Sequence, residues 1–313
     1  MDGTPLLLGI SFLTSFVAAP RFIHKLRAAG YVVRDYYKPQ KPLVPTMGGL
    51  VILTGVLASL IIAQFVVNSV ESLLILYFIV LTFMVLGLID DLIDVGRKLK
   101  IVLPYFMALP VALLNRDTTL WLGFTEVELG AFYTIVVAPV YVMVVSNLIN
   151  MHAGYNGLAV GLSSILLLFI GIAAWIRYGI SEVSYIMPIL GAAIAFLFYN
   201  RYPSRIFEGN CGNFMLGAAI GALLVLYNLE IFGVVILLPH IVNFLMYVVW
   251  RVKRLGEVKF GEVREDGSLR VPNPLTLKWL LPYYWRITEP QAVLILYLLT
   301  TISGFLGLAL IFW

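Results

Sequence analysis

The sequence predicts an all-α polytopic membrane protein of about ten transmembrane helices, with both termini outside and an active site on the cytoplasmic face. Composition is the first ground. Of 313 residues, 61% are hydrophobic and 12% charged, and the mean hydropathy is +0.96. A soluble domain carries roughly a quarter charged residues. Polar groups are too scarce here to cover a water-facing surface, which excludes an ordinary cytosolic enzyme, a disordered chain and a nucleic-acid-binding domain. The second ground is that the apolar residues fall into runs near the ~20 residues that cross a bilayer core. The third is the placement of charge: 19 of the 21 Lys and Arg lie in alternate connections between those runs.

In chain order the runs place spans at 5–24, 47–67, 71–89, 101–115, 130–147, 158–177, 184–200, 212–228, 231–250 and 290–312. The first could pass for a secretory signal. Its basic residues Arg21, Lys25 and Arg27 follow the apolar run, however, and no small-residue cleavage site stands out, so it reads as a true span. The fourth is short and carries Pro104 and Pro110, whose freed backbone groups neighbouring helices can satisfy. The basic connections are 21–46, 90–100, 148–157, 201–211 and 251–289, leaving only Arg116 and Arg177 on the opposite side. Lys and Arg concentrate in cytoplasmic loops, so these connections read as cytoplasmic in a multi-pass protein of the cell membrane. The chain reads as one integral membrane domain over 1–313. Within it, 251–289 forms a cytoplasmic element between the last two spans, marked by a turn signal at Asp266-Gly267 and by Pro-Asn-Pro at 272–274. A single cysteine, Cys211, excludes an intramolecular disulfide and a multi-cysteine metal site.

The unusual residues all fall in the connections assigned to the cytoplasm. Leu88-Ile89-Asp90-Asp91-Leu92-Ile93-Asp94 is followed by Arg97, Lys98 and Lys100. Adjacent carboxylates at the end of a membrane helix repel, and they persist most readily when a cation bridges them or a proton is shared. Asp90 and Asp94 share a face if the helix continues that far. Carboxylates for Mg²⁺ with a lysine for phosphate recur in phosphoryl-transfer sites; a solvated helix end of mixed charge is the plain alternative. Ser146 to Gly157 holds Asn147, Asn150 and Asn156 with His152, Gly154 and Gly157. Asparagine can ligate Mg²⁺ or hydrogen-bond a base edge, and glycine lets backbone approach a ligand. A capped helix turn would need fewer of both, and His152 by itself reads as a packed or capping residue. Two further segments stand out: Tyr199 to Asn213, with its Phe207-Glu208-Gly209-Asn210 turn, and the first loop, with Arg34, Asp35, Lys38 and Lys41 before Pro45-Thr46-Met47-Gly48-Gly49.

With these pieces in order, the chain resembles the polyprenyl-phosphate N-acetylhexosamine-1-phosphate transferases along nearly its whole length. The matching motifs are Pro45 to Gly49, the Asp90-Asp91 pair, Asn147-x-x-Asn150 with Asn156-Gly157, and Pro203-Ser-x-x-Phe-x-Gly-Asn210. The resemblance implies a ten-helix enzyme that moves a sugar 1-phosphate from a UDP-sugar to a polyprenyl or dolichyl phosphate and releases UMP. It implies Asp90, Asp91 and Lys100 as catalytic residues, Asp90 acting on the lipid phosphate and Asp91 staying near Mg²⁺. It implies Asn150 and Asn210, with Asp91, as metal ligands, for Mg²⁺ or Mn²⁺ in its place. Asn156 would read uracil with Phe207 stacked on it, Asn147 and Gly157 completing the nucleotide side. Asp35, Lys38, Lys41 and Asp94 would serve the phosphates. The His-Ala-Gly-Tyr-Asn-Gly stretch is closer to the branch that makes dolichyl-pyrophosphate-GlcNAc, and no histidine lies in 251–289, where bacterial members usually carry several. An archaeal enzyme acting on UDP-GlcNAc, in lipid-linked glycan assembly for protein glycosylation, is the expectation. A homodimer is compatible with it.

One position departs. The family usually has aspartate where this chain has Asn210, which removes a full negative charge from beside the cation. Glu208, Asp91 or Asp94 could supply it instead. The departure also supports a rival, a nucleotide-binding relative that has lost turnover. A transporter is a second rival, but it predicts ionisable residues in mid-span and repeat symmetry, and the sequence has neither.

Overall fold

The structure, a computed structural model, describes residues 3–114, 117–122, 125–253, 256, 258 and 260–311. Arg116 falls outside the described residues. Helix α1 (Thr4–Ala28) leads into an antiparallel pair, β1 (Val32–Arg34) and β2 (Leu43–Pro45), with Val33 opposite Val44. Then come α2 (Gly49–Ala63), α3 (Val70–Ile93) and α4 (Leu99–Ala108), the last tightening into a 3₁₀ turn over Leu109–Leu113. A hairpin of β3 (Thr119–Trp121) and β4 (Glu126–Glu128) precedes α5 (Ala138–Met151), α6 (Leu158–Tyr178), α7 (Met187–Asn200) and α8 (Gly209–Leu226). The chain closes with α9 (Glu230–Ile236), α10 (Leu238–Val252), the short pair β5 (Glu262–Val263) and β6 (Leu269–Arg270), α11 (Leu277–Tyr284) and α12 (Glu289–Ile311).

The architecture is that of an all-α polytopic membrane protein. Six of the described helices are long and apolar enough to cross a bilayer, and α9 with α10 makes a seventh if counted as one broken span. Three further apolar helices, α2, α4 with its extension and α7, are shorter. Among the described residues every predicted run contains helix, residues 115 and 312 lying outside them, but several are less regular than a straight span. Pro110 falls where α4 tightens to 3₁₀. The run at 130–147 opens with a π-wound turn over Tyr133–Val137, just ahead of Pro139, which has no N–H for the ladder. The run at 231–250 breaks at Leu237, and α9 and α10 meet at 68° with Pro239 in the first turn beyond.

Helix α8 is the centre of the bundle. Every residue from Cys211 to Val225 is buried, as expected of a helix apolar all round. Helices α3 and α5 pack along it, and α1, α2 and α7 pack together, with α2 also touching α8. The start of α8 therefore lies where α2, α3 and α5 end or begin, the level at which the sequence places its charged clusters. The element predicted over 251–289 packs into a second, smaller core, in which its Leu269 and Trp279 join Tyr37, Tyr155 and Leu296 from outside it. Its hairpin turns at Asp266-Gly267, with Gly267 at φ +79°. Arg254 and Lys259 of that segment lie outside the described residues.

Candidate active site

The adjacent aspartates at the end of α3 face different partners, which relieves the repulsion their sequence implies. Asp90 is 6% exposed. Its Oδ2 lies 2.8 Å from Lys100 Nζ, and its Oδ1 accepts from the Val95 N–H at 2.9 Å. Asp94 does not extend the helix. It sits at φ +45° just past Ile93, yet Lys100 Nζ still reaches its Oδ1 at 3.6 Å. One ammonium thus serves two carboxylates. Asp91 turns the other way: its Oδ1 accepts from the Asn210 N–H at 2.8 Å and its Oδ2 from the Cys211 N–H at 3.0 Å. These are first-turn amides of α8, which lack helical partners and carry the positive end of the helix dipole.

Two backbone corners hold that helix end in place. The Phe207 N–H donates to Pro45 O at 2.8 Å, the Gly48 N–H to Phe207 O at 2.8 Å, and the Gly49 N–H to Glu208 O at 2.9 Å. The Thr-Met-Gly-Gly corner and the Phe-Glu-Gly-Asn turn, far apart in sequence, are therefore zipped together. A Cβ at Gly49 would fall 2.5 Å from Gly212 N and 2.8 Å from Cys211 C, both main-chain atoms that cannot swing aside. We expect Gly49→Ala to destabilise the protein by about 1–3 kcal/mol through overpacking, read as a lower thermal midpoint in detergent, and to loosen the amides that hold Asp91. Gly209, at φ +71°, has no room for a Cβ either, since one would lie 2.6 Å from Asp91 Oδ2. Glu208 is buried, its Oε2 accepting from Asn200 Nδ2 at 2.9 Å. Burial pushes its carboxyl up, with Asp91 acting in the same direction.

The asparagines divide. Asn147 Nδ2 donates to Lys100 O at 3.2 Å and to Met143 O at 3.0 Å, tying α5 to the segment that carries the lysine. Asn150 Oδ1 accepts from Asn213 Nδ2 at 3.3 Å. The Oδ1 atoms of Asn213 and Asn200 are buried and have no donor. Asn200 lies beside the Glu208 carboxylate and Asn213 beside Asn150; acceptor oxygens without donors are of the type a hard divalent cation takes. Among the described residues no three His, Cys, Asp or Glu side chains converge as a metal cage. His152 is a packed residue, its ring edge-on to His240 at 4.6 Å, and burial lowers its imidazole well below the usual range.

Asp35, Lys38 and Asn156 form a second, buried set. Lys38 Nζ donates to Glu289 Oε2 at 2.5 Å and lies 3.2 Å from Asp35 Oδ2 and 4.1 Å from the centre of the Tyr202 ring. Asn156 is engaged from its backbone and from both ends of its amide. Its N–H donates to Glu289 Oε1 at 2.6 Å, its Nδ2 to Asp35 Oδ2 at 3.1 Å, and its Oδ1 accepts from the Ser204 N–H at 2.8 Å. Beside this set is a cavity of about 280 Å³ lined by Asp35, Lys38, Gln40, Ser204 and three prolines. Gly157 is left-handed, at φ +78°, and its carbonyl accepts from the Tyr297 hydroxyl. Lys278 Nζ donates to Ala153 O at 2.7 Å, docking α11 on the same turn, and burial lowers its ammonium to about 8. Lys41 is exposed, and Phe207 is half-buried. Sequence reasoning missed Glu289, Asn200 and Asn213; a glutamate opening an apolar span was the available signal for the first.

The sequence profile described as glycosyl transferase family 4 matches residues 73–228, from the start of α3 through α8. A protein of Saccharolobus solfataricus, provisionally named UDP-N-acetylglucosamine–dolichyl-phosphate N-acetylglucosaminephosphotransferase, is 30% identical over 302 residues, 92% of this chain and 90% of its own length. The chain belongs to glycosyl transferase family 4. A relative of the same name from Sulfolobus acidocaldarius is 28% identical over 85% of this chain and 84% of its own. The phospho-N-acetylmuramoyl-pentapeptide-transferase of Oceanobacillus iheyensis is 31% identical over 75% and 79%. In this family 4 member, the profile takes in Asp90, Asp91, Lys100, Asn150 and Asn210, while the first loop and 251–289 lie beyond it.

Proposed function

We propose that the chain transfers GlcNAc 1-phosphate from UDP-GlcNAc to a polyprenyl or dolichyl phosphate on the cytoplasmic face of the membrane. The products are UMP and a lipid pyrophosphate-linked sugar. One observation carries the reading. The Lys100 ammonium lies 2.8 Å from Asp90 Oδ2 and 3.6 Å from Asp94 Oδ1 at the end of a membrane helix, the lysine-and-carboxylate combination of phosphoryl-transfer sites; an apolar groove of about 390 Å³ lies between α5 and the bent α9–α10 pair, lined by Val136, Val140, Val144, Leu148 and Leu237 among others. Leu148 follows Asn147, whose amide is bonded to the Lys100 carbonyl. The archaeal relatives are named for UDP-N-acetylglucosamine and dolichyl phosphate, which gives the reading its nucleotide sugar and its lipid.

Asp90 orients the lipid phosphate and takes its proton where it carries one, and Lys100 holds the phosphate oxygens. A lipid phosphate oxygen attacks the β-phosphorus of the UDP-sugar. The new P–O bond forms as the bond to the bridging α-phosphate oxygen breaks, and UMP leaves with that oxygen. Asn150, Asn210 and Asp91 would hold a Mg²⁺ ion, or Mn²⁺ in its place, which when bound neutralises charge building on the pyrophosphate. The test offers purified protein in detergent a polyprenyl phosphate, Mg²⁺ and a panel of UDP-sugars: GlcNAc, GalNAc, N-acetylmuramoyl-pentapeptide and glucose. UMP release with UDP-GlcNAc, dependent on the lipid and lost on chelation, is the expected result. Nucleotide binding without UMP from any donor would overturn it in favour of a non-catalytic relative.

A further inference from the structure

The residues at Asp35, Lys38 and Asn156 invite assignment as ligand contacts, yet their polar atoms are turned toward one another. Exposure is 4% for Asp35, 9% for Lys38, 3% for Asn156 and 2% for Glu289. We infer that Glu289 is a positioning residue for nucleotide binding, its carboxylate clamping the Asn156-Gly157 turn to the first loop through Lys38. The inference rests on the proposed function, because it takes that turn and Phe207 to be the nucleotide side of the site.

The geometry supports a clamp because each Glu289 oxygen has a different task. Oε1 accepts the main-chain N–H of Asn156 and Oε2 takes the Lys38 ammonium. From there the connections spread. Lys38 pairs with Asp35, Asp35 accepts the Asn156 amide, and Asn156 accepts the Ser204 N–H, three residues before Phe207. The turn, the first loop and the 203–207 segment thus meet on one carboxylate at the start of α12. Two carboxylates and one ammonium, all buried, leave the set with an excess negative charge. Such a set holds only if its geometry is kept, so the segments it joins are fixed relative to each other before any nucleotide arrives, and binding need not order them.

The experiment measures UDP-GlcNAc affinity by titration calorimetry on the full chain in detergent, with KM values for both substrates and hydrogen exchange over 153–157. Glu289→Gln keeps an acceptor for the Asn156 N–H but loses the charge facing Lys38. We expect UDP-GlcNAc affinity to fall about tenfold, with the KM for polyprenyl phosphate and kcat at saturating donor nearly unchanged, and faster exchange at 153–157. Lys38→Gln added to Glu289→Gln leaves Asp35 buried without its ammonium and should recover none of the loss. Asp35→Asn should act in the same direction as Glu289→Gln and more weakly, and it serves if the glutamate variant does not fold. Wild-type affinity in a variant whose only defect is a lower thermal midpoint would overturn the inference and leave the proposed function standing. A wild-type protein that binds no UDP-GlcNAc would remove both.

Discussion

Asp90→Asn should lower UMP release about 1,000-fold while UDP-sugar affinity stays within a few-fold, the pattern of a group that acts on the reacting atoms. The substitution preserves volume, and an amide oxygen can still accept from the Val95 N–H that now donates to Asp90 Oδ1. What disappears is the charge 2.8 Å from Lys100 Nζ. The lysine would be left with Asp94 alone, which lies at 3.6 Å and is largely in solvent. On the proposed mechanism a general base and the partner that orients a phosphate-binding ammonium are lost together, which accounts for about 4 kcal/mol of barrier. Because the two side chains act as one unit, Lys100→Met added to Asp90→Asn should cost far less than the product of the single losses. A rate within tenfold of wild type for Asp90→Asn would remove Asp90 from the chemistry.

Asn210→Asp should tighten Mn²⁺ binding on the order of 100-fold, followed by the loss of the free-ion electron paramagnetic resonance signal. The change adds a full carboxylate on the residue whose N–H already meets Asp91, and on the proposed function, where Asn150, Asn210 and Asp91 hold the ion, cation affinity follows ligand charge. Placed in the first turn of α8, the new acid is also favoured by the helix dipole, by about 0.3–1 kcal/mol. Asn210→Ala provides the opposite check, since an unchanged Mg²⁺ requirement there would end the ligand role of position 210. If Asn210→Asp leaves Mn²⁺ affinity where it was, the ion is held elsewhere, and Asn213 with its unpartnered Oδ1 becomes the residue to change next.

Much of this was legible in the sequence for a simple reason. In a chain with 12% charged residues, carboxylates and lysines can gather only at helix ends, so their clustering marks one level of the bundle and the residues that meet there. The apolar runs were readable for the same reason, and the Asp266-Gly267 turn by its local chemistry. Partners that are distant in sequence were not readable. Nothing near Asp91 announces that its acceptors will be met by amides 119 and 120 residues later, so the paired aspartates look more frustrated on paper than they are. Asp35 and Lys38 look like free phosphate ligands until Glu289 is brought beside them. Prolines signalled irregularity at 104 and 110, but the 68° bend between α9 and α10 was not read from the sequence, where 231–250 looked like one straight run.

The grip on Asp91 has a bearing on mutational tolerance. Both donors are main-chain N–H groups of Asn210 and Cys211. Side chains at these two positions can therefore change without releasing the aspartate, provided the helix still starts at Gly209. The side chain at 210 is therefore free to vary without altering how Asp91 is held. Proline is the exception, because it alone removes a donor. Cys211→Pro should free one carboxylate oxygen where Cys211→Ala leaves both bonds in place.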